Sequence, residues 1–210
     1  MAIYFHGNYG MHRGRMARIV ARLRRFPEAT HREIGAFFGY SQSYAARYRS
    51  WLHKCGLVLR GRPFELTEWG RVIVEHDRAL ESQATQWLLH WELVTHPTRT
   101  EVWHRFFHDF LSRRASFSEH ELMEFLTGML GSRRDQPVGS DSRMTRSVMN
   151  KLIECYTAPQ ALGRLGIVVE ASQSPEGNGL RFLKGVPEAM GPWDSPEDWT
   201  VDFLASHDDF

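Results

Sequence analysis

His104 and His108 stand four residues apart, with Glu101 one turn upstream and Asp109 adjacent to the second histidine. On a helix that spacing puts both imidazoles on one face, an arrangement able to hold a divalent metal. The order is Glu-x-x-His-x-x-x-His, and it lacks the glutamate directly after the first histidine that zinc peptidases use as general base. These histidines are therefore read as solvated or satisfied within the core. His6 and His12 bracket Asn8-Tyr9-Gly10, and the glycine-bearing stretch 7–14 could offer amides to an anion, but no Gly-Lys-Ser/Thr ending marks a phosphate loop. There is no nucleophile elbow, no spaced Cys and His set and no clear carboxylate and lysine trio. The expectation is a protein that is not an enzyme, with no catalytic residue, metal or cofactor; a metal-dependent nuclease is the enzymatic alternative.

The residues that remain chemically notable are arginines. Residues 1–71 hold 13 Lys or Arg against 4 Asp or Glu, whereas the rest of the chain holds 13 against 21. A net charge of +1 thus hides a basic head and an acidic body, the asymmetry expected of a polyanion-binding module on a body that does not bind polyanions. Cys55 and Cys155 both fall in apolar helical patterns and read as buried, reduced thiols. No stretch approaches the ~20 apolar residues of a membrane span, and the opening residues lack an apolar leader, so a cytoplasmic location with no membrane partner is expected.

The elements that must position the arginines follow from periodicity. Met16, Ile19, Val20 and Leu23 recur at i, i+3, i+4 and i+7, which predicts a helix over 15–26 with Arg15, Arg18, Arg22 and Arg25 on another stripe. Thr30-His31-Arg32-Glu33 is a capping box opening a short helix that buries Ile34, Phe37 and Phe38 and stops at Gly39. Ser41 or Ser43 caps a third helix running to about Cys55. Two helices joined by a short glycine turn form a helix-turn-helix, and the third helix becomes the groove reader. Its packing face is Ala45, Tyr48, Leu52 and Cys55; Ser43, Arg47, Ser50 and Lys54 lie opposite, flanked by Gln42, Tyr44, Arg49 and Trp51. Residues 56–67 read as strand, tight turn, strand with Arg60 and Arg62 at the tip, a β-wing. The candidate DNA contacts are Arg15, Arg18, Arg22, Gln42, Ser43, Tyr44, Arg47, Arg49, Lys54, Arg60 and Arg62, with Arg47 reading a base and Arg49, Lys54, Arg60 and Arg62 holding phosphates.

The body opens with residues 83–94, apolar almost all round, and then Thr98-Arg99-Thr100-Glu101, which offers a capping box for a helix striped with Trp103, Phe106, Phe107, Phe110 and Leu111. From Ser118 the order of the head recurs: a capped helix, a glycine-containing loop, a second capped helix over 140–156, and a hairpin formed by 165–171 and 180–184. The predicted fold is mainly α with short β-hairpins, a tandem winged helix-turn-helix. It divides into an N-terminal arm (1–14), a winged-helix DNA-binding domain (15–76), a helical body with a second winged-helix-like unit (77–186) and an acidic aromatic tail (187–210). That tail has no Lys or Arg and seven acidic residues interleaved with Trp193, Trp199, Phe203 and Phe210, a docking composition.

The chain resembles a bacterial family known only as domain of unknown function 4007. The resemblance rests on the helix-turn-helix followed by Leu66-Thr67-Glu68-Trp69-Gly70, on Ala84-Thr85-Gln86-Trp87-Leu88-Leu89-His90-Trp91, on Thr100-Glu101-Val102-Trp103 and on the serine-led helix over 140–156, and it extends from about Phe5 to Lys184. Members tend to be encoded near DNA-phosphorothioation and phage-defence genes, so the resemblance implies such a context and no catalytic site. The expected function is duplex DNA binding, as a transcription regulator or accessory factor of a DNA-modification or antiviral defence system, with a homodimer and defence proteins as further partners. The main alternative is a protein-binding scaffold.

Overall fold

The computed structural model describes residues 5–131, 142–171 and 181–184. Helix α1 (Arg13–Arg25) begins two residues earlier than the periodicity predicts, because the His12 ring accepts from the Arg15 amide and caps it there. Its apolar stripe is sealed: Met16, Ile19, Val20 and Leu23 are at most 1% exposed. Helix α2 (His31–Phe38) carries the expected capping box, with Thr30 and Glu33 satisfying each other's amides, and ends at Gly39 in the left-handed region at φ 71°. Helix α3 (Gln42–Lys54) starts where the Ser41 hydroxyl accepts from the Tyr44 amide. Gly35 lets α2 and α3 approach, since a Cβ there would lie 2.7 Å from the Ser41 carbonyl.

Beyond Gly56 the chain runs out and back. The Leu59 amide donates to the Glu65 carbonyl and the Thr67 amide to the Leu57 carbonyl, yet the two expected strands amount to a single bridge, Val58 with Leu66. Thr67 then caps α4 (Glu68–His76). Helix α5 (Gln83–Thr95) is buried along most of its surface, including Thr85, Gln86 and His90. Helix α6 (Glu101–Arg105) continues into a π-helical turn (Phe106–Phe110) and a short 3-10 turn (Leu111–Arg113). The capping box expected over Thr98-Arg99-Thr100-Glu101 does not open this helix: α6 begins only at Glu101, with Thr100 at the N-cap position, and the Thr100 hydroxyl donates back to the His96 carbonyl and makes no cap bond. Glu121 does return to the Ser118 amide at the start of α7 (Glu119–Gly131).

Helix α8 (Ser142–Thr157) follows, and three short strands form one antiparallel sheet: β1 (Ser116–Ser118), β2 (Val168–Glu170) and, between them, β3 (Arg181–Lys184). The register pairs Phe117 with Phe182 and Val169 with Leu183. The predicted pairing of 165–171 with 180–184 is thus present, joined by a strand at Ser116–Ser118 that the pattern did not anticipate. The turn expected around 175–179, the Ser140 cap and the tail 187–210 lie outside the described residues.

The molecule is mainly helical, and one contiguous cluster of buried side chains runs from Phe5 through Trp51, Trp103, Phe106 and Tyr156 to Phe182. Phe106 stacks on Phe110 and on Tyr156, while Phe117 stacks on Phe182. Arg13, 3% exposed, threads this core and donates to the carbonyls of Leu80, Pro159 and Ala161 at 2.6 to 2.8 Å. Cys55 and Cys155 are both buried as free thiols. Among the described residues no helix is long and apolar enough to cross a membrane.

Candidate nucleic-acid interface

Helix α3 is held on two sides. Ala45, Tyr48 and Leu52 are buried beside α1, as their spacing predicts. Along the other flank runs the segment of residues 5–10, bound through its backbone carbonyls: Arg47 donates to Phe5 at 3.1 Å, Trp51 to Tyr9 at 3.0 Å and the Tyr48 hydroxyl to Gly10 at 3.2 Å. Phe5 fills the space between Trp51 and Trp103, with ring centroids 4.8 and 5.2 Å away. Lys54 lies over the Phe5 ring and donates to the Arg99 carbonyl, and burial lowers its pKa.

This arrangement redirects part of the expected interface. Arg47 and Lys54, assigned to base and phosphate contacts, face the N-terminal segment and the body, where they donate to the backbone carbonyls of Phe5 and Arg99. Tyr44 is 4% exposed and packs on Tyr40 and Tyr48. Arg15 turns to the Tyr48 hydroxyl. Exposed, by contrast, are Arg18, Gln42, Ser43, Arg60 and Arg62, with Arg22 half-buried.

The open side of α3 is the stripe Gln42, Ala46, Ser50 and His53, at i, i+4, i+8 and i+11. It forms one wall of a groove of about 590 Å³, whose other walls are the start of α2 at Thr30 and His31 and the hairpin from Val58 to Arg62. Arg49 lies low in this groove at 9% exposure and donates to the Gly61 carbonyl at 2.5 Å, tying α3 to the hairpin tip. Its pKa is lowered by burial and then by Arg62. His31 is lowered by burial and by the same two arginines, and His53 chiefly by burial. Among the described residues no Asp or Glu lines the groove. Glu33, which caps α2, is held below the usual carboxylate range first by its bonds to Thr30 and then by Arg62 and Arg22, so the hairpin tip and the second half of α1 both lie near the start of α2.

Arg22 sits over two rings, Phe26 at 3.8 Å and Phe37 at 3.9 Å, and Arg18 over Phe38 at 5.0 Å. Sequence reasoning placed these arginines but missed His31 and His53. The signal for His53 was present in its eleven-residue spacing from Gln42 along one helical stripe, whereas only the fold brings His31 opposite α3.

The histidine pair of the body has a different occupation. His104 Nδ1 and His108 Nε2 both meet the Val94 carbonyl, at 2.5 and 3.2 Å, closing the end of α5. Among the described residues no group of three His, Cys, Asp or Glu is placed to hold a metal ion. His6 Nδ1 bonds to the Gly7 carbonyl at 2.7 Å within the buried N-terminal segment.

Fold and site together define a mainly helical protein with a basic groove bounded by α2, α3 and the hairpin that follows α3. The family model for DUF4007, a protein of unknown function, matches residues 38–183, and the chain belongs to that family. The match begins at the end of α2, so α1 and its arginines precede it, and the likeness is shorter than the Phe5 to Lys184 expected. No curated protein and no solved structure matches the chain.

Proposed function

We propose that the head binds duplex DNA as a winged helix-turn-helix, through Arg18, Arg22, Gln42, Ser43, Arg60 and Arg62. One observation carries this reading: among the described residues, none of those four arginines is within ion-pair distance of a carboxylate, although Glu33 is near. Unneutralised guanidinium groups on α1 and on the hairpin attract backbone phosphates, and the acidic body disfavours binding elsewhere. The pairing of α7 and α8 with a sheet supports the second, winged-helix-like half of a tandem arrangement, serving packing or dimerisation. A regulator or accessory factor of DNA modification or defence, cytoplasmic and dimeric, is the role this reading favours.

Fluorescence anisotropy with a labelled duplex, titrated with salt, tests it. Log affinity is expected to fall linearly with log salt, and Arg60→Gln with Arg62→Gln should reduce that slope by about 2, since each neutralised phosphate contributes about 0.9. Arg47→Gln should leave the slope unchanged. Absence of salt-dependent binding to any duplex defeats the reading. A protein-binding surface is the second reading, favoured by Phe26 and Phe37 at 40% and 56% exposure. It predicts that Phe37→Ala abolishes partner capture without altering the salt slope.

A further inference from the structure

We infer that the groove between α2, α3 and the hairpin receives a terminal phosphate group, with Arg49 as the fixed charge at its floor. The head's exposed arginines, Arg60 and Arg62 among them, are open to solvent, where phosphates on the outside of a duplex can reach them. Arg49 does not: it is 9% exposed, below the level of Arg60 and Arg62 at the rim. A guanidinium removed from water to that extent is ordinarily paired with a carboxylate. Among the described residues its one acceptor is the neutral Gly61 carbonyl, and the charged or titratable groups that line the groove with it are Arg62, Arg60 and two histidines whose pKa is lowered by burial.

Bonding one Nη to Gly61 fixes the plane of the guanidinium and leaves other donors of the fork for an anion. Gln42 and Ser50 supply neutral donors on the walls. About 590 Å³ is ample for a phosphate with an attached nucleoside, and Val58, Leu59 and Ala46 offer apolar wall to a base or sugar. An internal phosphodiester is flanked by chain on both sides and is held on the outside of a duplex, so it meets the rim. A phosphomonoester carries more charge, has one free end and can descend. Such a group comes from a free mononucleotide or from the 5′ end of a DNA strand. The inference extends the DNA reading to the groove floor, but its first measurement contains no DNA, so the two fail separately.

The full-length protein is melted in inorganic phosphate, in adenosine monophosphate and in chloride at matched ionic strength. Phosphate and the nucleotide are expected to raise the melting temperature saturably and chloride not to. Arg49→Met should weaken the half-saturating concentration roughly tenfold to a hundredfold, the loss of a charge-assisted contact. Arg62→Gln, on an exposed side chain that does not support the fold, should weaken it less but measurably, and so keeps the test open if Arg49→Met fails to fold. Stabilisation by phosphate equal to that by chloride, or undiminished in both variants, overturns the inference. Duplexes ending in 5′-phosphate and 5′-hydroxyl then separate the sources. A roughly tenfold preference for the phosphorylated end that depends on Arg49 assigns the strand end. Equal binding of both, with retained nucleotide binding, assigns the free nucleotide.

Discussion

Arg13 shows how a buried cation can be held through neutral acceptors. Its guanidinium gives three bonds to the carbonyls of Leu80, Pro159 and Ala161, joining the start of α1 to the loops before α5 and after α8. Arg13→Met keeps the stem but orphans three acceptors, and urea unfolding should show a loss of about 3 kcal/mol. At the same scale, two histidines set the acid limit of stability. Burial lowers His6 from 6.5 to about 4 and His90 to about 3. The unfolded chain therefore takes up protons that the native state refuses, so their contribution is complete above pH 6.5 and erodes as pH falls from 6.5 towards 4. Each histidine steepens that fall by about 1.4 kcal/mol per pH unit within its window. Urea midpoints measured from pH 7.5 down to 4.5 should decline more gently in His90→Gln than in the parent.

At the level of elements, caps and close approaches determine where helices begin and how near they come. Thr30 and Glu33 close the start of α2, which also forms a wall of the groove, so Thr30→Ala should cost about 1 kcal/mol. Gly35→Ala meets two backbone carbonyls, of Ser41 at 2.7 Å and Tyr40 at 2.8 Å, neither of which is the end of a flexible side chain. A loss of about 2 kcal/mol is expected in thermal or urea unfolding, through separation of α2 from α3. Caps at Thr30 and Ser41 were legible because they depend on neighbours three residues away. The cap expected at Thr98 was misread because the chain turns after His96 and the helix starts only at Glu101, leaving Thr100 at the cap position with its hydroxyl bonded to the His96 carbonyl. Strand Ser116–Ser118 was invisible for a related reason: three residues carry too little alternation, and its partner lies more than sixty positions away.

Across the whole molecule, a single buried cluster joins the basic head to the acidic body. Cys55 stands at the end of α3 and Cys155 within α8, and burial raises both thiols, Cys155 to about 12. Neither should react with a thiol reagent in the native state. If the cluster melts as a unit, both become reactive at one urea concentration that coincides with loss of helical circular dichroism. Labelling of one thiol well before the other would mean that head and body unfold separately.

Which helices form and where most of them start were determined by sequence alone, because periodicity and capping act within one or two turns; the buried face of α2 was not, since Ile34 is sealed but Phe37, expected in the core, is 56% exposed. The asymmetry of charge was equally plain in composition. What only the tertiary structure decided is which arginines remain available. Arg47 and Lys54 carry the right charge at the right helical spacing, yet carbonyls of Phe5 and Arg99 claim them, and these arrive from 42 and 45 residues away. Helical spacing states that two side chains share a face; it cannot state what distant chain will be laid across that face.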